Sequence, residues 1–179
     1  MTARQRQEDS SRGFTLIELV TTVGIIGILA ALAVPAMVRA KMSGNEASAI
    51  ASLKAINAAE AAYSSSAAAG EFAAQLSVLA TPCPGQSATF ISPDLAADPS
   101  MKSGYSIVLS GGASSAGGDD CNGVPTVQGY YVTAVPVNRQ LSGRRGFATS
   151  SRQVIFVDYS GSAPSEASMS PGGGGAPLQ

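Results

Sequence analysis

Hydrophobic and polar residues are distributed unevenly along the chain, and the strongest contrast lies near the N-terminus. From Leu19 to Val38, twenty residues carry no charge, which is enough at about 1.5 Å per helical residue to cross a bilayer core of about 30 Å. One carboxylate, Glu18, stands at the start of this apolar span, a few residues after Gly13. Because a charged group inside an apolar span costs roughly 2.5–3.5 kcal/mol, Glu18 is predicted to be a functional residue with a partner.

The pattern changes after residue 38 but still predicts a helix. Residues 40–66 contain no proline and are rich in alanine, a strong helix former. Apolar residues recur there at helical spacing and form one stripe, namely Ala49, Leu53, Ile56 and Tyr63. We therefore predict a single helix from Phe14 to about Ala68, apolar all round in residues 14–38 and amphipathic in residues 39–69, with Gly70 as its C-cap.

Residues 70–159 read as a small α/β head. A short helix is predicted for Glu71–Ala80, followed by a proline-rich loop, Thr81–Pro99, with one helical turn near Asp94–Ala97. Four strands are predicted, at Gly104–Leu109, Gly129–Val137, Gly146–Thr149 and Val154–Tyr159, and glycine-rich residues 111–123 are expected to be a loop. The last stretch, residues 160–179, is poor in apolar residues and is expected to be a disordered tail. The fold class is therefore α+β, a long helix packed on a small antiparallel sheet.

Composition excludes most catalytic chemistry. Charged residues make up only 13% of the chain, the formal net charge is −1, and there is no histidine. No metal-binding or nucleotide-binding spacing is present, so we expect no enzyme activity, no cofactor, no metal and no nucleic acid. Two groups of charged residues are expected to be solvated in loops: the acids Asp119, Asp120 and Asp158, and the arginines Arg139, Arg144, Arg145 and Arg152. The two cysteines, Cys83 and Cys121, are expected to form a disulfide if this part of the chain lies outside the cytoplasm.

The residues G-F-T-L-I-E-L-V and the apolar span behind them resemble the N-terminus of type IV prepilins and of the related pseudopilins of type II secretion. The resemblance covers about residues 12–40. It implies that residues 1–13 are a leader removed by a membrane-embedded prepilin peptidase, which cuts after Gly13 and N-methylates Phe14. It also implies a leader in the cytoplasm, a pilin fold, and a kink at Pro35 in a helix that a filament would use as its core.

Within this reading, Glu18 of one subunit pairs with the methylated amine of Phe14 in a neighbour and sets the register of assembly. Burying the two charges together costs far less than burying either one alone. Three small residues, Gly24, Gly27 and Ala31, let helix backbones approach closely, since Gly27 and Ala31 lie four residues apart.

The expected function is a structural subunit of a type IV pilus, a helical homopolymer built by assembly machinery in the cytoplasmic membrane. The precursor would cross that membrane once, in contact with lipid, and the product would be an extracellular pilus. The first alternative is a pseudopilin, in a periplasmic pseudopilus. Two further alternatives are a secreted binding domain, released by signal peptidase near Ala31–Ala33 or Val38–Ala40, and a signal anchor that is never cut.

Overall fold

The computed structural model describes residues 13–112 and 114–178. It has the predicted α+β architecture, in which one long N-terminal helix and an antiparallel sheet are the main elements. The chain divides into two compact units, one up to Val38 and one from Arg39 onward. The expected leader lies outside the described residues except for Gly13.

The long helix, α1, runs from Leu16 to Ser66 and contains Pro35. It begins two residues later and ends two residues earlier than the alanine-rich pattern predicts. After its last turn the backbone reverses through Ala69 and Gly70, at φ 52° and φ 103°. The amide of Gly70 donates to the carbonyl of Ser64 at 2.8 Å, which satisfies one of the carbonyls left open at the helix end. The sequence predicts Gly70 as the C-cap, but α1 ends at Ser66, so Gly70 lies in the turn after the helix, where glycine adopts a positive φ at no steric cost.

In the second unit, α1 is followed by a short helix and an antiparallel sheet. The short helix, α2, covers Leu76–Leu79, and the first five residues of the helix predicted from Glu71 are not helical. Within the described residues the sheet has the order β1-β2-β5-β6-β7-β8. Its strands are β1 (Ser100–Lys102), β2 (Tyr105–Ser110), β5 (Tyr131–Pro136), β6 (Gly146–Ser150), β7 (Phe156–Asp158) and β8 (Ala176–Pro177).

The core of this unit lies between α1 and the sheet. Leu53, Ile56 and Tyr63 of the predicted stripe are at most 1% exposed. Alternate residues of the central strands, such as Ile107 and Val132, are fully buried in the same cluster. The period of about 3.6 in the helix and the period of two in the strands therefore meet in one apolar layer, as the sequence predicts.

The expected loop at residues 111–123 contains part of a hairpin that the sequence did not predict. Strand β3 (Ala116–Asp119) pairs with β4 (Pro125–Val127). The carboxylate of Glu71 holds this hairpin, because it accepts hydrogen bonds from the amide of Gly118 at 2.6 Å and from the hydroxyl of Thr126. A Cβ at Gly117 would collide with the same carboxylate and with the hydroxyl of Thr126, so a side chain there would displace the contact that holds the hairpin. The strand β1 was also not predicted.

The expectation of a disordered tail at 160–179 must be corrected for residues 160–178. Strand β8 pairs with β7, and the amide of Leu178 donates to the carbonyl of Ile155 at 2.7 Å. Met169, in a short 3₁₀ turn, is 4% exposed, and Leu178 packs against the core cluster. Two well-placed apolar side chains and the free edge of β7 order a segment whose average composition is polar.

The predicted disulfide is present, with Cα atoms of Cys83 and Cys121 5.6 Å apart. It ties the loop after α2 to the β3–β4 hairpin. Beside it, the amide of Cys121 donates to the carbonyl of Ala67, and the hydroxyl of Tyr63 donates to Asp120 at 2.9 Å. The distal end of α1, both loops and the hairpin are therefore fastened at one place.

Two buried carboxylates on α1 receive backbone amides from distant segments, with opposite electrostatic outcomes. Burial raises the pKa of Glu46, but the amides of Arg144 and Arg145 and the guanidinium of Arg145 outweigh it, so the pKa is lowered overall. Glu60 is fully buried and accepts one hydrogen bond, from the amide of Ala73 at 3.0 Å, while its Oε1 has no partner among the described residues. Burial therefore raises the pKa of Glu60 to about 8.

Removing the disulfide should destabilise the second unit. Replacing Cys83 and Cys121 by alanine opens a loop of 38 residues, for which the chain-entropy model gives a loss of roughly 3–4 kcal/mol. Urea unfolding of the purified chain in detergent measures this change in the free energy of unfolding. Reductant should destabilise the wild-type chain and leave the double variant unchanged; equal midpoints for the two oxidised chains would contradict the prediction.

Glu60 should make the chain less stable as pH rises. The pKa of this carboxyl is near 4.5 when unfolded and about 8 when folded, so between these values only the unfolded chain releases the proton. Stability from this group is complete below pH 4.5 and is lost toward pH 8, by up to about 1.4 kcal/mol per pH unit. The Tm of Glu60→Gln relative to wild type should therefore increase steadily over this range.

Glu71→Gln is the matched control. Hydrogen bonds from Thr126 and Gly118 lower the pKa of Glu71, so from about pH 5.5 to pH 8 this carboxylate is ionised in both the folded and the unfolded state. The difference in Tm between Glu71→Gln and wild type should therefore stay constant. A constant difference for Glu60→Gln as well would show that Glu60 does not carry a raised pKa.

Candidate assembly segment

The helix α1 begins with a reciprocal pair of hydrogen bonds between Thr15 and Glu18. The hydroxyl of Thr15 accepts from the amide of Glu18 at 3.2 Å. The carboxylate of Glu18 accepts from the amide of Thr15 at 2.9 Å and from its hydroxyl at 2.7 Å. This is a capping box, in which Thr15 is the N-cap and Glu18 is the third helical residue. It satisfies amides that no helical carbonyl reaches.

The capping box was readable in the sequence as T-L-I-E before an apolar run, and our sequence analysis missed it. It gives Glu18 a local structural role in addition to the role expected in assembly. An acidic side chain in the first turn also interacts favourably with the helix dipole. The geometry therefore keeps the carboxylate in the first turn of the helix, four residues after Phe14.

The surface of residues 14–37 is apolar and uncovered. Large apolar side chains there are exposed, from 57% at Val20 to 82% at Phe14. The helix contains an 18-residue window with a mean hydropathy of 2.3, none of it buried, and it is long and apolar enough to cross a membrane. Exposure of this extent is unfavourable in water, at about 25 cal/mol per Å², so the segment requires lipid or protein around it.

The small residues of the segment leave space at the helix surface. No heavy atom lies within 4 Å of the position that a Cβ would occupy at Gly24 or Gly27. Polar groups in the same stretch are satisfied internally: the hydroxyls of Thr21 and Thr22 donate to the carbonyls of Ile17 and Glu18, at 2.9 and 2.6 Å. The segment thus presents an apolar surface that is indented at its glycines, and its threonine hydroxyls are hydrogen-bonded to the helix backbone.

The structure gives different environments to the acids and arginines that were expected to be solvated in loops. Asp120 is 8% exposed, and its carboxylate accepts from the amides of Asn122 and Val124 and from Tyr63. In the described residues, no group of three or more acidic, cysteine or histidine side chains is arranged to hold a metal. Arg145 forms an ion pair with Glu46 at 2.7 Å. The other three arginines, Arg139, Arg144 and Arg152, are exposed.

Fold and segment together define an α+β protein with an N-terminal helix of membrane-spanning length. Residues 9–34 match the protein-family model described as the prokaryotic N-terminal methylation motif, which is the prepilin-type cleavage and methylation motif of type IV pilins and pseudopilins. No curated protein and no solved structure gives a significant match to the chain. The match covers the segment that carries Gly13, Phe14 and Glu18, and it fits a membrane-anchored precursor.

Proposed function

We propose that this chain is a structural subunit of a type IV pilus. One observation carries the proposal: the methylation motif at residues 9–34 leads directly into a helix whose apolar surface is uncovered. Such a helix is held in the membrane as a monomer, and once extracted it is buried among copies of itself. The second unit then forms the outer part of the filament.

In this proposal the prepilin peptidase cuts after Gly13 in the cytoplasmic membrane and methylates the new amine of Phe14. Removal of residues 1–13 places a positive charge on Phe14, two residues before Leu16, where α1 begins. The backbone there precedes α1, which begins at Leu16, so the cleavage site is not inside a helix. A site outside regular secondary structure supports access by a protease, which binds its substrate with the backbone free.

Glu18 then has two roles that do not compete. The capping box orients its carboxylate at the helix terminus, and the amine of Phe14 from a neighbouring subunit supplies the opposite charge. Two buried charges are tolerated only as a pair, so a subunit in the wrong register would leave both unpaired. Gly24, Gly27 and Ala31 provide the close approach between helices, and Pro35 is proposed to kink the helix in the filament core.

A pseudopilin of a type II secretion system is the alternative function, because pilins and pseudopilins share the methylation motif. The two assignments predict the same processing and differ in the final location, an extracellular pilus or a periplasmic pseudopilus. Neighbouring genes for a pilus motor and for retraction would favour the pilus, and secretion genes would favour the pseudopilus. Both assignments make the chain a structural protein and not an enzyme.

The mature N-terminus tests the proposed processing. Intact mass of the protein purified from its native membrane or filament should correspond to residues 14–179 with one added methyl group. Gly13→Ala should leave the uncut chain in the membrane, while Gly24→Ala, a change outside the cleavage site, should leave the processed mass unchanged apart from the substitution. A chain that retains residues 1–13, or one that begins near Val34 or Lys41, would contradict the proposal.

Two substitutions separate the charge of Glu18 from its capping role. Glu18→Gln keeps a side chain that functions in a capping box but removes the charge, so assembly should be lost, by about 3–5 kcal/mol per subunit for an unpaired buried amine. Thr15→Ala removes the N-cap at a cost of about 1 kcal/mol and keeps the charge, so filaments should form. Electron microscopy and sheared-filament yield measure both.

The opposite pattern would show that Glu18 acts only as a cap. In that case Glu18→Gln would assemble as well as wild type and Thr15→Ala would assemble poorly. Processing of both variants, checked by intact mass, ensures that any difference arises after cleavage.

A further inference from the structure

We propose that the second unit carries a basic collar that binds the anionic phospholipid headgroups of the membrane in which the monomer resides. The collar consists of Lys41, Arg139 and Arg144, together with the exposed side chains of Leu141 and Tyr159. The inference rests on the proposed function in one respect, namely that residues 14–38 lie in a bilayer. It adds a lipid-binding surface on the head, for which the motif at residues 9–34 makes no provision.

The collar is assembled by contacts between the first turns of the second unit and the loop between β5 and β6. The side-chain amide of Asn45 donates to the carbonyl of Ser142 at 2.8 Å. The amide of Arg144 donates to Glu46 at 2.8 Å, which fixes the loop backbone on the helix. Leu141 lines the same depression as Lys41. The loop that carries Arg139 and Arg144 is therefore fixed against the helix turns that carry Lys41.

Tyr159 joins the collar from the end of β7. It lines one depression with Arg144 and the Glu46–Arg145 pair. The guanidinium of Arg139 donates to the carbonyl of Tyr159 at 3.5 Å. The loop and the residue after β7 thus present their side chains on one surface.

Chain connectivity places Lys41 at the headgroup layer. Lys41 follows Val38, the last residue of the apolar span, by three residues, which is about 5 Å along a helix. The headgroup layer extends about 5–8 Å beyond the hydrocarbon core on each side. Lys41 therefore lies within reach of phosphates at whatever angle the helix crosses the membrane, and the loop residues are packed beside it.

Basic residues of the second unit are concentrated in the collar, which is the distribution that binding to an anionic surface requires. Residues 39–179 contain eight lysines and arginines and nine acids, so the unit as a whole attracts no anion. Four of the eight basic residues are nevertheless in the collar or are Arg145 beneath it. Arg145 is neutralised by Glu46, and one further acid, Asp158, lies close to Arg139. The collar is therefore electropositive, and the remainder of the unit is acidic.

The two uncharged members of the collar favour a lipid surface over a soluble anion. Leu141 is 58% exposed and Tyr159 is 70% exposed. Tyrosine is enriched at membrane interfaces, where its ring contacts the acyl boundary and its hydroxyl remains in the headgroups. Basic residues beside exposed apolar side chains are the composition of surfaces that bind anionic membranes.

A fluorescent reporter at position 159 tests the proposal. The chain has no tryptophan, so Tyr159→Trp introduces a single one. The full-length chain is reconstituted in phosphatidylcholine vesicles with and without phosphatidylglycerol. We expect the emission of residue 159 to shift to the blue, and to be quenched by lipids brominated in the upper acyl chain, only when phosphatidylglycerol is present. High salt should reverse both effects.

Gln86→Trp is the control reporter. Gln86 is exposed and follows Cys83, whose disulfide partner donates its backbone amide to Ala67 beyond the distal end of α1. Helical positions 41 and 67 are about 39 Å apart at the standard rise, far outside a Debye length of about 8 Å. The emission of this reporter should be the same in both kinds of vesicle.

Charge reversal separates the collar from general basicity. In the Tyr159→Trp background, Lys41→Glu with Arg144→Glu should weaken the bound state by at least about 25-fold, since each basic residue near the surface contributes about fivefold. Lys54→Glu with Arg152→Glu makes the same change in net charge at exposed residues outside the collar. This second pair should leave the spectral response within about twofold of wild type.

Several outcomes would overturn the collar. Equal responses in the two kinds of vesicle would show proximity to the bilayer without headgroup recognition. A response that depends on the ratio of protein to lipid would indicate contact with another copy, and a larger response to added DNA than to vesicles would indicate nucleic acid. If the mature N-terminus is methylated Phe14 and the reporter is silent, the collar fails and the proposed function stands; an N-terminus near Lys41 would remove both.

Discussion

The structure depends on one constraint: among the described residues, nothing buries the large apolar side chains of the first half of α1. Its apolar side chains are exposed along the whole span, whereas the second half of the same helix buries Leu53, Ile56 and Tyr63 under the sheet. Water is an unfavourable environment for the first half, so lipid or identical helices must cover its apolar side chains. Membrane residence and polymerisation are two solutions to the same deficit.

The second half of α1 acts as the spine of the head by means of polar contacts as well as apolar ones. Glu46 and Glu60 each accept amides from segments that are distant in sequence, and Tyr63 and Asp120 join the helix to the disulfide-bonded loops. A carboxylate that accepts several amides stays ionised, and one that accepts a single amide in the core is held protonated at neutral pH. The two acids therefore report different environments on one helix.

The features that the sequence predicts correctly depend on residues that are close in the chain or on a pairing that has no alternative. The stripe of α1 comes from spacing alone, and two cysteines permit one pairing. The β3–β4 hairpin was not predictable, because its support is Glu71, more than forty residues before Gly118 in the chain. The ordered C-terminal segment depends on Met169 and Leu178 finding the core, which average composition hides. The capping box at Thr15 is readable in the sequence, but an explanation of Glu18 by its charge alone omits its role as a helix cap.

The two edge strands of the sheet are short, which affects how neighbouring heads could pair with one another. Strand β1 has three residues and β8 has two, and β8 ends at a proline. Short edges, and a proline nitrogen that carries no hydrogen, offer few donors and acceptors with which another sheet could pair. In the filament proposed above, heads held close together would therefore stay separate folding units, and subunits would join through their helices and not through their sheets.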